Sequence, residues 1–100
     1  MLHIVNKSPG ERSTLASCLA HARPGHSVLL IEDAVYAATK GHAAAAAVGK
    51  ALDAGVKLFV LAPDLEARAR AGAVAEGIVT VDYRGFVDLV TQNPRVQSWL

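Results

Sequence analysis

Residues 27–38, SVLLIEDAVYAA, constrain this chain more than any other stretch. Val28, Leu29, Leu30 and Ile31 are large and apolar without alternation, the pattern of a strand buried on both faces of a parallel sheet. The run stops at Glu32 and Asp33. Asp33 stands where a helix N-cap accepts backbone N–H groups, and Ala34, Val35, Ala37 and Ala38 follow as a helix expected to reach about Lys40. Ligands of open α/β sheets bind at the carboxyl ends of the strands, so any chemistry is expected near such an end.

The flanking segments supply the rest of an α/β unit. Leu2–Val5 reads as a first strand. Ser8, Pro9, Gly10 and Glu11 match a capping box, and Leu15, Cys18, Leu19 and Ala22 recur at i, i+3, i+4 and i+7, which places Cys18 on the sheet-facing side of a first helix. Residues 43–54 form an alanine-rich helix, a close-packed or partly exposed cover, with Gly55 in the C-cap region. Residues 57–61 read as a third strand, after which Asp64 is positioned to cap a helix from Leu65 to about Arg70. Residues 78–81 are a fourth strand rich in β-branched side chains. Asp82 caps a last helix that Asn93 and Pro94 break, and residues 96–100 suit a short edge strand. The expected fold is α/β: one three-layer domain over residues 1–100, with a mostly parallel central sheet of about five strands and helices on both faces.

Composition closes off several functions. Although 52% of the residues are hydrophobic, no stretch approaches the roughly 20 apolar residues of a membrane span. The first strand follows Met1 directly and leaves no room for a secretory signal, which makes the cytoplasm the default location. A net charge of +1 with scattered basic residues argues against direct nucleic-acid binding, which needs a clustered basic face. The single cysteine rules out an intrachain disulfide and the multi-cysteine metal motifs. His3, His21, His26 and His42 have no H-x-x-x-H spacing, and neither a G-x-G-x-x-G nor a P-loop occurs, so no metal or cofactor is expected.

Two places could carry chemistry. Cys18 is the one strong nucleophile and would accept sulfur as a persulfide if exposed and ionised, with Lys7, Arg12 and His21 near enough in sequence to favour a thiolate; the alternative is a small hydrophobe in the core. Glu32 and Asp33 form either a ligand or acid pair at a strand end or a helix cap, and Asp64 and Asp82 invite the same comparison. Arg68 and Arg70 face different sides of their helix and make no phosphate clamp. Trp99 and Leu100 are costly to leave in water and are expected to bury against the body or a partner.

The blocks LHIVNKSPGERSTLASC, LLIEDAVYAA, LFVLAPDLEAR, VDYRGFVDLV and VQSWL, in this order, resemble the DsrH/TusB family of sulfur-relay subunits along nearly the whole chain, least so in residues 42–51. The resemblance implies a DsrE/F-like fold and a subunit that joins DsrE/TusD-type and DsrF/TusC-type partners in a heterohexamer of two copies each. Such a complex takes persulfide sulfur from a TusA-type carrier. It passes the sulfur on toward 2-thiolation of the tRNA wobble uridine or toward sulfur oxidation. The family's main sulfur-carrying cysteine belongs to the DsrE/TusD-type partner, and the comparable residues here, 61–64, contain no thiol. Cys18 matches a cysteine typical of the DsrH branch, which implies a possible secondary persulfide site and an accessory rather than an autonomous enzymatic role; the alternative is a purely structural subunit.

Overall fold

The computed structural model describes residues 1–7 and 14–99. Five strands, β1 (Leu2–Val5), β2 (Ser27–Leu30), β3 (Lys57–Leu61), β4 (Val79–Val81) and β5 (Val96–Trp99), form one sheet in the order β4-β3-β2-β1-β5. Every pairing is parallel. The aliphatic run of β2 takes the centre, where Val28 pairs with His3 on one side and Leu58 on the other. All four β2 residues are buried, which is why its sequence lacks alternation. Residues 96–99 form an edge strand beside β1, as expected.

The helices are α1 (Thr14–His21), α2 (Ala45–Asp53), α3 (Ala62–Ala67) and α4 (Tyr83–Gln92). The capping box at residues 8–11 lies outside the described residues, as does Arg12. The larger core gathers Val5, Val28, Leu30, Leu58 and Val60 of the sheet against Leu15 and Cys18 of α1, Val48 of α2 and Leu65 of α3. On the opposite face Leu2, Ile4, Leu29 and Phe59 pack, among the helices of the described residues, against α4 through Phe86 and Leu89. The connections from β1 to β4 step in one direction across the first face. The last connection returns across the sheet and so must use the other face to keep the same handedness. Among the described residues one ten-residue helix therefore covers a five-stranded face, and Tyr83, Val87 and Val90 of α4 stay exposed, as do Val79 and Val96 on the two edge strands.

The segment after β2 departs from expectation. It is a 3-10 helix over Glu32–Ala38, not an α-helix running to Lys40, and Asp33 does not cap it. A three-residue repeat stacks Ala34 over Ala37 and Val35 over Ala38, and all four are buried, so the tighter helix puts every apolar residue of the segment inward. Thr39 then bridges Val74 in antiparallel fashion, which ends the helix before Lys40. Helix α3 also starts earlier than expected, at Ala62 with Pro63 in its first turn, and no side chain caps it. At α4 the reading holds: the Asp82 carboxylate accepts the Gly85 N–H at 2.8 Å.

Candidate functional site

Helix α1 presents its apolar stripe to the sheet, and Cys18 lies on that stripe with no solvent exposure. Burial pushes its thiol up to about 12, and among the described residues no cation offsets this. His21, one turn further along α1, directs Nδ1 to the Ser17 carbonyl at 2.8 Å and not to the sulfur. At neutral pH Cys18 is therefore a protonated thiol in an apolar core, and a thiol in that state is a poor nucleophile.

The carboxylates at the strand ends are engaged in structure. Asp33 receives Arg68, with Nε donating to Oδ1 at 3.0 Å and a second guanidinium nitrogen at 2.9 Å. Arg68 also donates to the Asp64 carbonyl at 3.1 Å. The Asp64 carboxylate accepts the Glu32 N–H at 2.6 Å. Asp64 thus caps the 3-10 helix that follows β2, the role the sequence suggested for Asp33. Glu32 itself has φ 50°, a left-handed conformation unusual for a side chain of its size. Glu32 and Asp33 are not held together as an acid pair: Asp33 turns to Arg68, while the Glu32 side chain is exposed. Nor do they flank a topological switch point, because the sheet reverses direction between β1 and β5 and not at β2. Arg70 stands apart from Arg68, its guanidinium 5.7 Å from the centre of the Tyr36 ring.

A cluster that sequence spacing did not reveal sits on the α1 side of β1. His3 is buried, and its Nδ1 accepts the indole N–H of Trp99 at 3.1 Å. Its Nε2 lies 3.0 Å from Nδ1 of His26, which also accepts the Arg23 N–H at 3.1 Å. The His21 ring centre is 5.5 Å from that of Trp99. The one available signal was His3 itself, a polar residue inside an otherwise apolar strand next to the central one. The histidine partners come together only through the β1–β2 and β1–β5 pairings. Among the described residues, no group of three or more His, Cys, Asp or Glu is arranged to hold a metal ion, and no helix is long and apolar enough to cross a membrane.

The family model for DsrH like proteins matches residues 7–96. This chain belongs to the DsrH/TusB family. Protein TusB of Erwinia tasmaniensis is 36% identical over 99 residues, spanning 99% of this chain and the whole of that protein. Protein TusB of Escherichia coli K12 is 31% identical over the same length. Among solved structures, the ychN protein of E. coli superposes with a TM-score of 0.80 at 16% identity, covering 97% of each chain. MTH1491 of Methanobacterium thermoautotrophicum, a protein of unknown function, superposes at 0.77 with 15% identity, covering 97% of this chain and 95% of its own. These two show the shared fold. In this DsrH-family chain the end of β3 leads into Ala62, Pro63 and Asp64, a proline and a structural carboxylate with no thiol among them.

Proposed function

We propose that this DsrH/TusB-family chain is a subunit of a sulfur-relay complex of the DsrEFH/TusBCD type and that it serves assembly without carrying sulfur itself. The carrying observation is Cys18: fully buried on α1, with its thiol pushed up to about 12, it has neither the access nor the ionisation that persulfide transfer requires. Sulfur would pass from a TusA-type carrier to the DsrE/TusD-type subunit, with this chain and a DsrF/TusC-type subunit completing a cytoplasmic heterohexamer. The end use is tRNA wobble-uridine 2-thiolation or sulfur oxidation, and the mild net charge of +1 leaves any tRNA to a component further along the relay. The thinly covered sheet face supports an assembly role, because Tyr83, Val87 and Val90 line one side of α4 and remain in solvent in the single chain.

The reading is tested by co-expression with DsrE/TusD-type and DsrF/TusC-type partners from the same genome. The expected result is a complex containing all three chains in equal amounts, which Val87→Glu on α4 disrupts while the chain stays folded. Failure of the chain to co-purify with either partner would overturn it.

A further inference from the structure

The hydrogen bonds around His3 fix where every proton in the cluster resides. An indole N–H only donates, so His3 Nδ1, which receives it, is bare. Neutral His3 must then carry its proton on Nε2 and donate it to His26 Nδ1. His26 Nδ1 also receives a backbone N–H from Arg23, which likewise only donates, so this nitrogen is bare too and the His26 proton is on Nε2. The chain of bonds runs from Trp99 through His3 to His26 in one sense, with both imidazoles neutral. It ties the edge strand β5 to β1 and to the turn that leads into β2.

A proton added to either bridging nitrogen breaks the chain. On His3 it would set Nδ1–H against the Trp99 N–H. On His26 it would set Nδ1–H against both the Arg23 N–H and the His3 Nε2–H. In each case two donors face each other, and His3 is buried away from bulk solvent. We propose that the Trp99–His3–His26 chain is a proton-operated latch: with neutral imidazoles it holds β5 on the sheet, and protonation frees the indole and the strand.

Among the described residues, the charged and titratable groups that act on His3 are His26 just before β2, the amino terminus ahead of β1, and His21 from α1. All act in the same direction: burial first, then His26, the amino terminus and His21 lower the His3 value from its ordinary 6.5. The native state therefore binds fewer protons than the unfolded chain below that value. The stabilisation is complete above about pH 6.5 and is lost as the pH falls through the native His3 value. Frayed β5 would expose the side of β1 that it covers and present an unpaired parallel edge.

Trp99 is the single tryptophan of the chain, so its fluorescence reports the latch directly. The full-length protein is titrated from about pH 8 to about pH 5, the range over which histidine changes charge, with far-UV circular dichroism recorded on the same samples. The expected result is an emission shift to longer wavelength with a midpoint below 6.5 and helix signal retained. The shift disappears in His3→Gln. His26→Gln takes away the electrostatic influence of that ring, which lowers the His3 value, and the midpoint moves upward. Constant wild-type emission over the range would overturn the proposal, as would a shift that accompanies loss of the helix signal. A shift that survives His3→Gln does not come from His3 and equally overturns it. Should His3→Gln fail to fold, an unchanged midpoint in His26→Gln has the same force.

Discussion

The carboxylate of Asp64, in the first turn of the helix that follows β3, accepts the backbone N–H of Glu32, the first residue of the helix that follows β2, at 2.6 Å. This single contact couples two neighbouring strand ends. It also satisfies a backbone donor at a residue whose φ of 50° is unfavourable in itself. Asp64→Ala is expected to destabilise the chain by about 1–2 kcal/mol, the usual range for loss of a capping oxygen, while Asp64→Asn retains most of the stability because an amide oxygen still accepts. Urea denaturation of the two variants checks this, and equal midpoints would contradict it.

Arg68 joins the same region by bridging Asp33 and the Asp64 carbonyl. Half of the Asp33 side chain is in solvent, which screens the pair. A double-mutant cycle of Asp33→Asn with Arg68→Gln is expected to give a coupling of about 0.2–1 kcal/mol that shrinks in high salt. A coupling several times larger and insensitive to salt would mean that these groups carry more than a structural ion pair.

Much of this fold is legible from residue patterns, and the exceptions have physical causes. The unbroken aliphatic run at 28–31 marked the central strand because only burial on both faces tolerates it. Asp82 read correctly as a cap because its partner lies three residues away, within the reach of local rules. Asp33 and Asp64 misled because their partners, Arg68 and Glu32, are 35 and 32 residues distant. A strand-end carboxylate chooses between its own helix and a neighbour only once the sheet has formed. The helix stripe placed Cys18 against the sheet, and the structure adds that burial disfavours the thiolate and that no described residue offsets it. The His3, His26 and Trp99 chain stayed hidden because three separate strands or strand starts bring it together.

Gly85 allows α4 to lie close on β4. A Cβ built there would fall 2.8 Å from the Cβ of Val81, at a position where no flexible side-chain end can yield. Alanine normally favours a helix interior over glycine by about 1 kcal/mol. Gly85→Ala is nevertheless expected to destabilise the chain by about 1–3 kcal/mol through overpacking, and to loosen α4 from that face. A thermal midpoint equal to or above that of the parent protein would contradict the close approach.

The environment of Cys18 gives opposite expectations for two small substitutions. Cys18→Ala leaves a minor cavity and costs about 1 kcal/mol, whereas Cys18→Ser buries a hydroxyl without a partner and costs about 1–3 kcal/mol. Because the native thiol is raised from 9.0 to about 12, the folded state binds more protons than the unfolded chain in that interval. Its contribution to stability is complete below pH 9 and is lost as the pH rises toward 12. Denaturant midpoints measured across this alkaline range should fall less steeply for Cys18→Ala than for the parent, and identical slopes would contradict the shift.

The most direct test of the assembly role is mass spectrometry of this chain in complex with its DsrE/TusD-type and DsrF/TusC-type partners after exposure to a persulfidated TusA-type carrier. Each cysteine is scanned for the gain of one sulfur atom, the mark of a persulfide. The account predicts added sulfur on the DsrE/TusD-type subunit alone, with Cys18 unmodified and reactive only after denaturation. Added sulfur on Cys18 in the native complex, absent from Cys18→Ala, would contradict it.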